Sequence, residues 1–516
     1  MSVFVRMIAG FALCALAQNA TAATGTVTPG TKYQTIQGFG GGSVYYNSWL
    51  PQHPNKQMIY DTIFNGLGLS YLRIGNWNQD STATLTDDST IIAEAKKRLG
   101  SHLRIIMSSW SAPGYLKASG QVNGSTNNTN LGVRQNTLLK KNSAYAYADF
   151  ASWWLRSLQK YATKNIIPDD ISIQNEPDMN ADYAETLFGA TETDSIAGYP
   201  QALKAVTDSL KKLTTIPRVL GPEVLGIGYG NFQKYAKAMD QSLVGAYNFH
   251  LYHGGSYTKP DDYNTIFATL ATTYGTKPLI MSEFCNMNTH TAANMLSGAQ
   301  IMINALTKAN VTGYINWDLL WGDSTSQMIF VENPWKQTPW TTTNGYVVEP
   351  EYHTIRHFSK FINPGWSRID MTSDDANIRV AAFTSVNQDS LTVVAVNVGS
   401  AANTLTLAPT GYGVPKDFWQ SQVGGALSKQ KTITASQTSF ALPDSSISTF
   451  VFVKASAASI LKGPQQLTQQ ADHFDFYDLS GHFLGTSTTI PINKSSRIVV
   501  ARDKTGMSLG SWMIHE

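Results

Sequence analysis

Asp170-Ile171-Ser172-Ile173-Gln174-Asn175-Glu176-Pro177 is a short β-branched run that stops in a polar turn stiffened by proline. Leu279-Ile280-Met281-Ser282-Glu283-Phe284 repeats the plan: an apolar strand closing on a glutamate. Outward from these two, the same unit recurs in Thr35–Gly40, Tyr71–Asn76, Leu103–Ser108, Arg218–Pro222, Ala246–Leu251 and Gly313–Trp317, with Asp170–Gln174 and Pro278–Ser282 completing the set. Longer amphipathic stretches lie between them. Asn142–Ala162, Tyr199–Leu213 and Thr291–Lys308 read as helices, and the alternation is that of a parallel sheet with crossover helices. Eight β units suit a closed (β/α)8 TIM barrel better than an open doubly wound sheet, and no glycine-rich phosphate fingerprint follows the first strand.

The barrel is expected to span residues 35–360 as the catalytic domain. Beyond His357-Phe358-Ser359-Lys360 the pattern turns to short alternating strands, Ile378–Thr384, Leu391–Asn397, Thr404–Leu407 and Thr449–Val453. These predict a side β-sandwich over 361–455, which an N-terminal strand within 23–34 is expected to join. No long Gly/Ser/Pro linker separates it from the barrel, so close packing is expected. Residues 456–516 form a small C-terminal β segment, read either as a separate module or as two more hairpins of the sandwich.

Residues 1–22 have the layout of a secretory leader: Arg6, an apolar run from Met7 to Ala17, then Ala20-Thr21-Ala22 as a cleavage site. That run is too short to span a bilayer, and no later stretch offers the roughly 20 apolar residues needed, so a secreted protein without a membrane span is expected. Of the 2 cysteines, Cys14 leaves with the leader, and Cys285 then has no partner for a disulfide. Charged residues make up 14 % of the chain and the net charge is +2, which gives nucleic acid no electrostatic footing as a partner. The 12 Trp and 23 Tyr offer instead flat amphipathic faces of the kind that grip neutral sugars.

Barrel enzymes gather their catalytic groups at the C-terminal ends of the strands. Glu176 ends the fourth strand and Glu283 the seventh, so two carboxyl groups project over one mouth from opposite sides. Glycosidic cleavage needs such a pair: one acid to protonate the leaving oxygen, one carboxylate to attack the anomeric carbon or to activate water there. Asn175 supplies an amide for a sugar hydroxyl. Arg73, ending the second strand, is placed to ion-pair with Glu283 and keep it ionised, or to make a structural bridge. After the sixth strand, Tyr252 could donate to the carboxylate and His250 is a candidate substrate-binding residue, while one of the two histidines, His250 or His253, reads more as a packing or satisfied hydrogen-bonding group than as a catalyst. Trp110 and Trp317, closing strands three and eight, are candidate platforms for sugar rings. Metal ligation is unsupported, since no H-E-x-x-H or Cys/His set exists, and the G-x-S-x-G elbow of serine hydrolases is missing. Cys285 reads as a packing residue.

In motif order the chain resembles glycoside hydrolase family 30. The resemblance runs from Ile36-Gln37-Gly38-Phe39-Gly40-Gly41 through Ser109-Trp110-Ser111-Ala112-Pro113-Gly114-Tyr115-Leu116-Lys117 and Asn175-Glu176-Pro177 to His357-Phe358-Ser359-Lys360-Phe361, over roughly residues 25 to 455. It implies a barrel fused to a side β-sandwich, a retaining double displacement, no cofactor or metal, Glu176 as acid/base and Glu283 as nucleophile. Tyr145-Ala146-Tyr147-Ala148-Asp149-Phe150 and Pro364-Gly365-Trp366-Ser367-Arg368-Ile369-Asp370 are similar to the bacterial xylanase branch, which implies β-linked polysaccharide, xylan first, as the partner. The glucuronate-dependent members carry paired arginines after strand eight. Here that region reads Asp318-Leu319-Leu320-Trp321-Gly322-Asp323-Ser324-Thr325, so strict glucuronate dependence is not expected. The Trp317-Asp318-Leu319 wording is similar to the family's β-glucosidases and β-1,6-glucanases, which are the alternative, beside a non-catalytic glycan-binding protein. Phe474-Asp475-Phe476-Tyr477-Asp478-Leu479-Ser480-Gly481 resembles terminal sorting or anchoring modules of secreted polysaccharide-degrading bacterial proteins.

Overall fold

Gly38–Gly42, Tyr71–Gly75, Arg104–Ser108, Asp170–Ser172, Arg218–Pro222, Ala246–His250, Leu279–Glu283 and Gly313–Asn316 form a closed barrel of parallel strands in chain order. The eighth strand pairs with the first, Gly313 opposite Gly38, which shuts the cylinder. The computed structural model describes residues 21–44, 49–80, 86–125, 135–286, 290–322, 327–336 and 340–454, and the strands Phe474–Tyr477, Phe483–Ser487, Ile498–Arg502 and Ser508–Met513. Most of the expected leader, and Asp323-Ser324-Thr325 of the strand-eight loop, lie outside the described residues.

Nearly every strand position is buried, as it must be in a parallel sheet covered on both faces. Tyr71, Ile106, Leu220, Ala246, Ile280 and Ile315 fill the lumen as a cluster of their own. At the N-terminal end of the barrel Asp170 binds Arg218 at 2.6 Å and Arg104 at 3.3 Å, a structural ion-pair floor that leaves the opposite end for chemistry. Gly40 has no room for a side chain: a Cβ there would stand 1.8 Å from the Tyr71 carbonyl oxygen.

The helices pack outside. Tyr147–Ala162 turns Phe150, Trp153, Trp154, Leu158 and Tyr161 into the core. It begins later than the sequence pattern suggests, because Asn142 and Ser143 take φ of 50° and 67° and form the turn of a small hairpin, Lys140–Lys141 with Ala144–Tyr145. Left-handed backbone ends a helical pattern. The helices Tyr199–Leu210 and Ala292–Lys308 lie where the periodicity puts them. No helix among the described residues is long and apolar enough to cross a membrane.

A nine-stranded sheet forms the second layer system. Thr21–Thr35 runs antiparallel to Ser367–Ser373 and parallel to Asn403–Leu407, so the N-terminal strand is laid into this sheet. The sheet folds over on itself: Phe418, near one end of the strand order, has its ring 5.6 Å from that of Phe440, on the last strand at the other end. Between the two layers lie Leu391, Val393, Ala395, Phe450 and Phe452. The strand Asp417–Gln422 escapes a hydrophobicity pattern because Gln420 and Ser421 are buried polar residues; the Gln420 amide donates to the Ala441 carbonyl (3.0 Å) and Ser448 Oγ (3.1 Å). Barrel and sandwich meet through His357, on the helix Pro350–Ser359, whose two ring nitrogens lie 2.8 Å from Thr449 Oγ1 and 2.8 Å from Ser421 Oγ. Burial holds this imidazole down at about 3, so it is neutral and serves as a hydrogen-bonded bolt.

Residues 458–516 are a compact unit by themselves, with a four-stranded antiparallel sheet in the order Phe483–Ser487, Phe474–Tyr477, Ile498–Arg502, Ser508–Met513. Of the Phe474–Gly481 stretch, positions 478–481 lie outside the described residues.

Candidate active site

The fourth strand ends at Ser172 and the chain then turns out over the mouth. Asn175 N–H donates to the Ser109 carbonyl (2.7 Å) and Glu176 N–H to the Glu223 carbonyl (2.9 Å), which ties this turn to the ends of strands three and five. Glu176 has φ 45°, a left-handed conformation that a glutamate adopts only when its surroundings impose it. Glu283, the last residue of strand seven, stands opposite His250 of strand six. Both glutamates are nearly buried, at 6 % and 5 % exposure. A carboxylate oxygen of each, together with a His250 nitrogen, lies within 4.8 Å of the others.

Arg73 organises this centre. Its fully buried guanidinium donates to Glu283 Oε2 (2.5 Å), Asn175 Oδ1 (2.6 Å) and Glu223 Oε1 (2.9 Å), and lies 4.6 Å from the Trp110 ring centroid. Because arginine can only donate, the bond to Asn175 fixes which end of that amide is oxygen and turns its NH2 toward other partners. On the other side, Tyr252 donates its hydroxyl to Glu283 Oε1 (3.1 Å). Glu283 is thus gripped at both oxygens by donors.

His250 is fully buried and more than a packing residue. Its Nδ1 is 2.8 Å from Glu176 Oε1 and 3.8 Å from Glu283 Oε1, and its Nε2 is 3.6 Å from Glu223 Oε1. Burial favours the neutral ring, but the Glu283 charge and the hydrogen-bonded Glu176 outweigh it and lift His250 to about 9. Burial pushes Glu176 up to about 7, against the hydrogen bond from His250 and with the help of the Glu283 charge. A carboxyl poised near neutrality is matched to general acid–base work.

Glu223 went unnoticed in the sequence. It follows the fifth strand directly, has φ 55°, and is completely buried. Burial alone would raise its pKa, yet Arg73 and His250 hold it at about 2, a permanent anion. The signal was present, since it is the same strand-end glutamate as in strands four and seven, without the Asn before it.

Four tryptophans line the mouth in sequence. Trp77 stacks on Trp110 with centroids 5.6 Å apart, Trp110 lies 5.9 Å from Trp317, and Trp317 6.1 Å from Trp321. Trp110 is only 2 % exposed, so it is chiefly a wall against Arg73, while half-buried Trp77, Trp317 and Trp321 present more ring surface. Asp318, beside Trp317, is buried, and burial raises its carboxyl well above the usual range. Cys285 is buried too, with its thiol pushed well up by burial. His253 is exposed, on a φ of 57°. Glu176, His250 and Glu283 have the spacing of a cation clamp, but Arg73 already supplies positive charge to Glu283 at 2.5 Å, and a protonated His250 cannot ligate.

No family model matches the chain. Over 451 residues it is 25 % identical to a glucuronoxylanase of Bacillus subtilis, covering 83 % of this chain and 91 % of that one. Over 189 residues it is 31 % identical to an endo-1,6-beta-D-glucanase of Trichoderma harzianum, covering 34 % of this chain and 36 % of the relative. Among solved structures, the catalytic domain of the family 30 xylanase C of Talaromyces cellulolyticus superposes with a TM-score of 0.65 at 17 % identity, over 84 % of this chain and 100 % of that domain. Its fold is the same barrel with a side β-sandwich. Motif order, architecture and relatives agree in their likeness to glycoside hydrolase family 30.

Proposed function

We propose that this chain is an exported retaining glycoside hydrolase of β-linked polysaccharides, with Glu176 as acid/base and Glu283 as nucleophile. The observation that carries the reading is the proximity of the two carboxylates, one oxygen of each lying within 4.8 Å of the other. Retaining enzymes keep their pair about 5–5.5 Å apart, whereas inversion needs roughly 6.5–9.5 Å to admit a water.

In the first half-reaction Glu283 attacks the anomeric carbon while protonated Glu176 gives its proton to the glycosidic oxygen; the C–O bond breaks, the alcohol leaves and a glycosyl ester forms on Glu283. In the second, Glu176 takes a proton from water, the oxygen of that water attacks the anomeric carbon, and the ester breaks to return Glu283 as carboxylate and Glu176 as acid. Each neighbour has a task. Arg73 and Tyr252 hold Glu283 aimed through hydrogen bonds to both its oxygens, and these bonds weaken as the oxygen that attacks enters the ester. Asn175, locked by Arg73, offers an N–H to a hydroxyl of the sugar next to the scissile bond. His250 orients Glu176.

The finer reading is an endo-β-1,4-xylanase that does not require glucuronate. It is supported by the long match to the glucuronoxylanase and by the lack of arginine from Gly313 to Gly322, where an uronate-gripping pair would stand. The second reading, a β-1,6-glucanase or β-glucosidase, rests on Trp317-Asp318-Leu319 and on the match to the fungal glucanase. Product analysis on xylan, glucuronoxylan, a β-1,6-glucan and aryl glycosides side by side separates them. Xylo-oligosaccharides from unsubstituted xylan support the first, gluco-oligosaccharides the second, and inactivity on every glycan favours a binding protein.

A further inference from the structure

Beyond the catalytic centre, the rim carries an exposed tryptophan that the reaction does not use. Trp335 is 56 % exposed and keeps a large aromatic face in water. Its position is built. Asn333 Oδ1 accepts the Trp335 N–H (2.9 Å) and the Asn333 carbonyl accepts the Lys336 N–H (3.0 Å), so the ring is presented at the tip of a closed turn. The loop is fastened behind it by Glu332, whose carboxylate accepts from the N–H and hydroxyl of Thr341 (3.1 and 3.0 Å) and of Thr342 (2.7 and 2.6 Å).

Trp335 is also continuous with the mouth. Trp49, beyond the end of strand one, meets it edge to face at 6.1 Å and 89°. The six-membered ring of Trp49 lies against Gly322, where a Cβ would come within 2.3 Å of it. Gly322 follows Trp321, and Trp321 leads through Trp317 to Trp110 over Arg73. Strands one and eight are paired neighbours, so these residues share one sector of the C-terminal rim. An aromatic track therefore runs from the paired carboxylates outward to a fixed, water-facing indole.

We propose that Trp335, supported by Trp49, is an outlying sugar subsite that stacks on a pyranose ring of a polysaccharide whose scissile bond lies between Glu176 and Glu283. The ligand is a neutral β-linked chain several residues long, because aromatic stacking on C–H faces needs no charge and only a chain spans the track. This rests on the hydrolase reading above and adds that the cleft is built for polymer.

The test compares the full-length protein with Trp335→Ala and Trp335→Phe on the polysaccharide that it cleaves and on an aryl glycoside that occupies only the central subsites. Trp335→Ala is expected to raise KM for polymer roughly two- to tenfold, with kcat and the aryl glycoside kinetics unchanged, and Trp335→Phe to restore most of the loss. Equal effects on both substrates, or none on polymer, would overturn the subsite. Should the unmutated protein cleave no glycan, the hydrolase reading fails by itself, and affinity electrophoresis through xylan and β-1,6-glucan gels decides the subsite. Retardation of the unmutated protein that Trp335→Ala abolishes supports it, and identical mobilities of the two overturn it.

Discussion

Glu223 and Arg73 are joined at 2.9 Å with both side chains at 0 % exposure, a fully desolvated ion pair one step behind the two carboxylates of the proposed reaction. An ion pair so deep contributes little to stability by itself, since desolvation offsets much of the attraction; its consequence is alignment and charge. Arg73 reaches Glu283 and Asn175 from a position that Glu223 fixes, and His250 reaches Glu176 under the field of the same anion.

Glu223→Gln should therefore act on the reaction without touching substrate. The loss of charge lets His250 deprotonate more easily, which weakens the hydrogen bond holding the Glu176 pKa down, so the alkaline limb of kcat/KM should move upward. The rate constant should fall tenfold or more, by analogy with partners that orient catalytic groups. Glu223→Ala, which leaves Arg73 buried beside a void, should cost about 3–5 kcal/mol of stability by chemical denaturation. An unchanged pH profile in a folded Gln variant would reduce Glu223 to a scaffold residue.

The pH dependence of the unmutated protein follows from Glu176. Glycosylation needs its protonated form, which is lost as pH rises through about 7, so kcat/KM should decline on the alkaline side with an apparent pKa in that region. Because Glu176 and His250 share a hydrogen bond, the fitted value belongs to the pair. An aryl glycoside with a strongly activated leaving group needs no acid, and its limb should flatten. For folding the sign differs at His250: its pKa is raised to about 9, so its contribution is fully present below the unfolded pKa of about 6.5 and is lost as pH rises through 9.

Azide separates the two glutamates by role. In Glu176→Ala, an activated aryl glycoside still forms the glycosyl ester, which accumulates for lack of a base; azide needs none and should release the β-glycosyl azide. In Glu283→Ala no ester can form, and azide entering the vacated space should yield the α-azide. The reverse pattern of anomers, read by NMR, would exchange the roles.

Substrate choice is checked by stripping the uronate side groups from xylan. Hydrolysis should persist with kcat/KM changed less than about tenfold, since no arginine stands between Gly313 and Gly322 to lose a partner. If cleavage vanished, exposed Lys336 would be the first residue to examine as a substitute, with Lys336→Ala expected to weaken cleavage of glucuronoxylan alone.

Much of this architecture is local and so was legible in the chain. Parallel strands buried on both faces must be short apolar runs, and a barrel whose strands all point one way gathers whatever follows each run at one mouth; Glu176 and Glu283 could be paired by that rule before any distance was known. What the sequence could not carry is anything set by residues from several strands at once. The buried anion at Glu223, the charge on His250, the amide orientation of Asn175 and the turning of Trp110 from platform to wall arise because Arg73 meets strands three, four, five and seven in one desolvated space, where pKa and side-chain orientation depend on neighbours far apart in the chain. The same holds for the N-terminal strand: its alternation marks it as a strand, but only the folded sheet decides that Ser367–Ser373 and Asn403–Leu407 flank it, because backbone hydrogen bonds are indifferent to sequence and register is chosen by the core it completes.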